Sequence, residues 1–443
     1  MLKSYLAKGL SASFLIQLSA IAIGFGSSWL LAKLIGATGY GVYTYAFSWV
    51  TILSGMAWLG FDDLLIRDVA VYRSQGKTNL LKGLLQTALA GTVIAAIVLT
   101  LLAYGGIELF AYLQYLFDFP FEVSFLSDSS TKTALQIAFI AILPMTLLLV
   151  LQFALVGAKE IVLGQIAEKL FKPIFFLLAV IGIYFYQDQH ITPIEVITAN
   201  VVVVFAACVL AYFFFRKKLI QPYQKIQASY QQKIWWSTAI SFALVNTLNL
   251  VYIKADIVML GTITGAESVG VYSIASKFSE LLRFFLAIVY LVVSPMIADM
   301  YAAGKLKELQ ALATKSARGV LLLSLPMVVV FWLFGEWILG LFGLEFVAGY
   351  DVLIILCIGQ LFNLACGIGG NLLMMTGHEK ATFWGLFLST IVNISFNALL
   401  IPSMGMMGAA IATVLGVVVW NIILLVLVRQ KLGIDASILG IKI

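Results

Sequence analysis

Charged side chains stand inside three apolar runs of this chain, where each needs a physical reason to be there. In the run near 161–184, Gln165, Glu168, Lys169 and Lys172 follow i, i+3, i+4, i+7 spacing, so at about 100° per residue they share one helix face. Near 234–255, Asn246, Asn249 and Asp256 lie within about 80° of one another, with Lys254 to one side. Near 269–294, Tyr272, Ser276, Ser279 and Arg283 form one stripe bordered by Glu280, while Lys277, further round, reaches Glu280 at i+3. In a bilayer each such charge costs at least about 2.5–3.5 kcal/mol on insertion scales unless it faces a cavity or a partner. The cations Lys169, Lys172, Lys254, Lys277 and Arg283 outnumber the anions Glu168, Asp256 and Glu280. A surplus of positive charge suits an anionic ligand, and a guanidinium grips phosphate through two parallel hydrogen bonds.

Each group also admits a purely structural reading. Glu168 and Lys172 at i, i+4 form a pair that makes their face tolerable in an apolar setting, though Lys169 is then left over. Pro173 directly follows and kinks the helix, freeing backbone groups to meet a ligand. Lys254 and Asp256 fall near a helix end, where snorkelling is cheap, and read as a gate or an interfacial anchor rather than a substrate contact. Arg283 stands about 21 Å into its run at 1.5 Å per residue, and is either a ligand-gripping residue or half of a salt bridge. A further face, Tyr43, Phe47, Thr51, Ser54 and Trp58, is suited to stacking on sugar rings or to helix packing. The first apolar run has only the stripe Ser13, Gln17, Gly24 and Ser28, a helix contact or a cavity lining.

The elements that must hold these residues follow from composition. Of 443 residues, 62% are hydrophobic and 11% charged, against about 25% charged in soluble proteins. Such a chain could not cover itself with water-compatible surface, which excludes a soluble enzyme, a nucleic-acid-binding domain and a disordered protein. The two His fall in expected loops, and Cys208, Cys357 and Cys366 lie in apolar runs, so no metal site, disulfide framework or Cys–His nucleophile is expected. No catalytic residue and no cofactor are expected, and no ATP-binding Gly-rich loop with its Lys-Ser or Lys-Thr occurs. The first apolar run lacks a small-residue cleavage site and is read as a span rather than a signal peptide.

Apolar runs between polar breaks predict about twelve spans, near 11–32, 40–60, 84–105, 133–156, 161–184, 193–215, 234–255, 269–294, 316–341, 350–376, 382–401 and 405–428. With the N-terminus cytoplasmic, 20 of the 27 Lys and Arg fall in inside segments, only Lys33 and Lys132 fall outside, and both termini are cytoplasmic. The largest outside loop, 106–132, carries Glu108, Asp118, Glu122 and Asp128. The mixed apolar and basic stretches 62–82 and 296–315 are expected to lie along the membrane surface as amphipathic helices.

The sequence also repeats. Gly36-Ala-Thr-Gly-Tyr-Gly-Val-Tyr-Thr returns as Gly265-Ala-Glu-Ser-Val-Gly-Val-Tyr-Ser, each opening a span, and Gly76-Lys77 returns at nearly the same offset as Gly304-Lys305. Two six-helix halves follow, an N-terminal lobe 1–215, a basic linker 216–233 and a C-terminal lobe 234–443. Because six is even, both halves enter the membrane in the same direction, and the expected pseudo-two-fold axis runs along the membrane normal, an arrangement found in transporters. By the repeat offset Arg283 corresponds to Ser54 and Glu280 to Thr51, so duplication does not explain either charge.

At this level of detail the chain resembles the polysaccharide biosynthesis, or Wzx-type, branch of the multidrug/oligosaccharidyl-lipid/polysaccharide (MOP) flippase superfamily. The resemblance is carried by Gly36 to Tyr43, Leu59-Gly60-Phe61-Asp62, Leu65-Ile66-Arg67-Asp68-Val69-Ala70, Lys254-Ala255-Asp256 and Gly270-Val271-Tyr272-Ser273. It implies an all-α polytopic membrane protein of two six-helix lobes around a V-shaped central cavity. It implies translocation of a polyprenyl-pyrophosphate-linked oligosaccharide from the cytoplasmic to the outer leaflet by alternating access. In that reading Arg283, with Lys277, Lys169 and Lys172, holds the substrate, and Glu280, Glu168 and Asp256, with Lys254, gate the site or couple it to an ion. Tyr43, Thr51, Ser54, Tyr272 and Ser276 are candidates to face sugar, and Arg67-Asp68 is a matching motif or a structural cytoplasmic pair.

Three other readings compete: a MATE-like multidrug cation antiporter, a lipid II flippase and a non-transporting scaffold. The first would need a carboxylate near the first helix, where none occurs, and the last would need its interior charges to pair off. The expected partners are a lipid-linked oligosaccharide, membrane lipid and polysaccharide polymerase machinery, with no nucleic acid. The expected state is a monomer in the cell (plasma or inner) membrane.

Overall fold

A computed structural model describes residues 2–117 and 129–440, and every regular element among them is a helix. Asp118, Glu122 and Asp128 of the expected outer loop, and Lys442, lie outside the described residues. The chain divides into two compact units, Met1–Leu250 and Val251–Ile443.

In the first unit, helix α1 (Leu2–Ala57) carries the first two expected spans and turns between them at Gly36, with φ 65° and ψ −177°. Helix α2 (Phe61–Ser74) follows a left-handed corner at Leu59 and Gly60, and α3 (Thr78–Phe117) forms the third span. The fourth is split into α4 (Ser129–Phe139) and α5 (Ile142–Gly157). Pro144 explains the break, since it has no N–H for the Ile140 carbonyl. Pro173 acts likewise on Lys169 in the fifth span, where a five-residue π turn, Ala167–Phe171, separates α6 (Ile161–Ile166) from α7 (Lys172–Tyr186). Helix α8 (Pro193–Phe215) starts at a capping box, with Thr192 and Glu195 satisfying each other's backbone N–H groups and Pro193 set at the first turn. The core joins Phe61, Leu64, Leu65 and Val69 to Leu148, Leu151 and Leu155, and to Trp235 and Ala239 from the start of α9 (Gln232–Thr264).

The second unit holds α10 (Ala266–Ala302), α11 (Leu306–Gly340), α12 (Tyr350–Cys366), α13 (Gly369–Met375) and α14 (Glu379–Leu432). Helix α10 bends by 45° between Tyr290 and Val292, four residues before Pro295, which cannot bond back to that turn. Helix α14 contains the last two spans around a corner at Gly405, with φ 55° and ψ −132°. Its two arms pack tightly: a Cβ at Gly408 would lie 2.4 Å from the Leu400 carbonyl oxygen, and one at Gly416 3.0 Å from Asn393. The segment after α14 returns across the unit. Asp435, 1% exposed, pairs with Arg429 at 2.8 Å, and Gln310 bonds both backbone groups of Asp435. Ile438 donates to the Ala365 carbonyl and accepts from Arg318.

Eight described helices are long and apolar enough to cross a membrane, or nine with bent α10. Since α1 and α14 each contain two spans and the broken α6–α7 region adds one, the twelve expected spans are all accounted for. The stretch 296–315 comprises the arm of α10 beyond its bend, a turn at Ala303–Lys305 and the start of α11.

The repeat is visible in the backbone. Gly265 has φ 94° and ψ −176°, the same extended left-handed conformation as Gly36. The second pair of glycines ends helices in the same way. Gly76 donates to Arg73 and Lys77 to Tyr72; Gly304 donates to Tyr301 and Lys305 to Met300. Both are Schellman turns with glycine at positive φ, 68° and 70°.

Candidate functional site: interior charges in each unit

In the first unit, the π turn displays Glu168 and Lys169 on successive residues, and Lys172 follows on α7. Lys172 pairs with Glu168 at 3.5 Å, each side chain about one-fifth exposed, and its Nζ touches the Met145 sulfur at 4.0 Å. Lys169 turns to α1 and donates to the Gln17 side chain. The expected i, i+4 pair is therefore formed, and the remaining cation meets a neutral amide. In the sequence Gln17 stands out only as part of a polar stripe.

The sugar-facing candidates of this unit are largely committed to protein. Asn200 donates to the Tyr43 hydroxyl at 2.7 Å, and the Phe176 ring stacks on Tyr43 with centroids 5.8 Å apart. Thr51 bonds back to the Phe47 carbonyl, and Ser54, 1% exposed, points to the Ile142 carbonyl at 3.4 Å. These three therefore serve helix packing, while Tyr43 and Thr51 keep part of their surface open. Arg67 and Asp68 form an adjacent pair at 2.7 Å on α2.

In the second unit, Asp256 is 6% exposed and sits at the centre of a closed group. Its Oδ2 accepts from the Tyr272 hydroxyl at 2.6 Å and from Thr413 at 3.3 Å, and its Oδ1 accepts from the Ile257 N–H at 2.8 Å. Tyr272 is fully buried, so the structure gives it to Asp256 rather than to open space. Lys254 and Lys277 are half-buried near Asp256 and Glu280, whose charges they feel. Ser276 is half-buried and its carbonyl accepts from Ser279. Glu280 and Arg283 are exposed. Arg283 forms no ion pair among the described residues and lies within electrostatic range of Tyr252 and Tyr290. At its depth along α10 an exposed guanidinium is stable only against an aqueous space or an anion, not against hydrocarbon.

Two contacts were not legible from spacing. Thr413 completes the Asp256 group from α14, and Asn246, assigned to an interior polar face, reaches back to Asp62 and Asp63 of α2. No cluster of His, Cys, Asp and Glu suited to a metal ion occurs among the described residues, and all three Cys are unbridged.

The helices and their interior charges define a multi-pass membrane protein with a transporter-like fold. Residues 6–301 match the family described as polysaccharide biosynthesis protein, and 238–399 match the MatE family. The chain belongs to the polysaccharide biosynthesis protein family. It is 26% identical over 165 residues to the probable low-salt glycan biosynthesis flippase Agl15 of Haloferax volcanii, covering 37% of this chain and 35% of that protein. The curated relatives it matches are covered over half or less of their own lengths, 48% and 35%. Its fold is similar to that of an inward-facing multidrug resistance MATE family transporter of the MOP superfamily (TM-score 0.73, 12% identity, 94% of each chain covered). It is equally similar to the lipid II flippase MurJ in an inward closed conformation (TM-score 0.72, 15% identity, 96% of this chain and 87% of that one).

Proposed function

We propose that this protein is a flippase that moves a polyprenyl-pyrophosphate-linked oligosaccharide from the cytoplasmic to the outer leaflet for polysaccharide biosynthesis. The observation that carries the reading is Arg283, an exposed guanidinium without a carboxylate partner among the described residues, on an apolar helix of a polysaccharide-biosynthesis family member. Its five N–H donors fit a pyrophosphate, and Lys277, Lys169 and Lys172 supply further positive charge. The polyprenyl tail stays in the bilayer, since withdrawing it into water costs about 0.8 kcal/mol per CH2. Only the charged sugar head then needs a polar route.

Transport proceeds by alternating access of two lobes, 1–215 and 234–443, joined by the basic linker 216–233. Glu168 in the first unit, and Asp256, Glu280 and Lys254 in the second, gate the substrate's route or couple it to an ion. The protein acts as a transporter rather than an enzyme, as a monomer in the cell membrane with both termini cytoplasmic, beside polysaccharide polymerase machinery. The similarity of 238–399 to the MatE family supports a second reading, extrusion of cationic drugs. The surplus of positive charge disfavours it.

The test is transbilayer movement of a polyprenyl-pyrophosphate oligosaccharide in proteoliposomes, for the wild type and a folded Arg283→Ala variant. Movement largely lost in the variant supports the reading; movement unaffected by the substitution removes Arg283 from the site. Extrusion of a cationic dye under an ion gradient by the same vesicles would favour the drug exporter.

A further inference from the structure

Asp62 stands at the start of α2, outside the membrane-spanning helices, and is 8% exposed. Only one of its oxygens is satisfied: Oδ2 accepts from the Asn246 amide at 2.7 Å, whereas Oδ1 has no partner and no access to solvent. The same amide nitrogen reaches Asp63 Oδ2 at 3.2 Å, so two carboxylates converge on one donor. The helix N-terminus favours negative charge there, but a desolvated, unpartnered carboxylate oxygen is costly.

The surrounding elements bring no compensating cation. Arg67 of α2 is engaged by Asp68, and Arg73 donates to the Ala158 carbonyl. Helix α5, packed on α2, has no ionisable residue. Helix α3, also packed on α2, directs Lys82 to the Gln224 and Ile226 carbonyls. In the first half of α9 the only charged residue is Lys233, 13 positions before Asn246 and so about 20 Å away along the helix.

We propose that Asp62 is a proton-binding site that fastens the first half of α9 to α2. Protonation at Oδ1 removes the buried charge and its repulsion with Asp63 while leaving Oδ2 to Asn246. A hydrated cation would need space beside Oδ1, and there is none; a proton needs none. Burial, then the Asp63 charge, raise the Asp62 carboxyl from 3.8 to about 6. A raised acid stabilises the docked form fully below about pH 4, and that stability is lost as pH rises through about 6. The fit around the site leaves no slack for small shifts. A Cβ at Gly60 would lie 2.0 Å from the Ala239 carbonyl oxygen, and buried Trp235 donates to the Tyr72 hydroxyl at 3.0 Å. Docking is therefore close to all-or-none. Helix α9 continues past Leu250 into the second unit, so the proton acts on the segment that joins the two. The inference does not depend on what is transported.

Hydrogen–deuterium exchange of 58–66 and 232–250 in nanodiscs tests it, comparing wild type with Asp62→Asn at each pH so that the intrinsic exchange rate cancels. At about pH 4 the two should be almost equally protected; at about pH 7.5 the wild type should exchange about a hundredfold faster in both segments. Asp63→Asn should keep the transition but move its midpoint to lower pH, and this arm stands even if Asp62→Asn folds poorly. A wild-type to Asp62→Asn ratio that is constant with pH, or an unmoved midpoint in Asp63→Asn, would overturn the proposal. A midpoint that shifts with sodium at constant ionic strength would also overturn it, by assigning the site to a metal ion.

Discussion

The two units share a scaffold and differ in what they do with charge. Gly36 and Gly265 hold the same backbone conformation, and Gly76 and Gly304 end helices with the same hydrogen bonds. On that common frame the first unit ties its interior cations to protein partners: Lys172 meets Glu168 and Lys169 meets the Gln17 amide. The second unit buries one carboxylate among hydroxyls and leaves Arg283 exposed and without an ion pair among the described residues. The repeat counterparts Tyr43 and Tyr272 make the contrast local. One hydroxyl accepts from an amide, the other donates to a carboxylate. Duplication thus preserved the corners, where only glycine fits, and released the helix faces to diverge.

If the difference is functional, Arg283→Ala should show the largest effect, a loss of lipid-linked oligosaccharide movement of at least about tenfold, the equivalent of about 1.4 kcal/mol. Arg283→Lys should recover part of it, since charge returns but the bidentate fork does not. Equal losses in Lys169→Ala would erase the asymmetry. Next in size, Tyr272→Phe should cost about 1–3 kcal/mol of stability, because it leaves the buried Asp256 oxygen with one weaker partner. Thermal unfolding in detergent should report it as a lowered Tm, and an unchanged Tm would mean water replaces the hydroxyl. Glu168→Gln should cost less than about 1 kcal/mol, as expected for a partly exposed i, i+4 pair. Smallest, Thr51→Val should change transport by less than about twofold, since the hydroxyl already bonds back within its own helix.

The fold was legible because bilayer thickness imposes a length on apolar runs that few other forces imitate. The corner at Gly36 and the break before Pro173 were marked by residues whose backbone chemistry admits little else, whereas 133–156 read as one span and the break before Pro144 did not show. Within the site, the Glu168–Lys172 pair was readable from helix periodicity alone. The Tyr272 stripe was not: periodicity placed Tyr272 and Arg283 on one face, but that face runs from fully buried Tyr272 to exposed Arg283. Asn246 and Asp62 are 184 residues apart in sequence, and no local pattern announces their contact.

The segment that returns after α14 works as a buckle. By fastening to Gln310 and Arg318 at the start of α11, to Ala365 at the end of α12 and to Arg429 at the end of α14, it closes three helix ends into one loop. Helices tied at one end can splay only at the other. Any rearrangement of the second unit must therefore pivot about the buckled ends, and cutting the buckle at Asp435 would turn a lever with a fixed fulcrum into three loose rods.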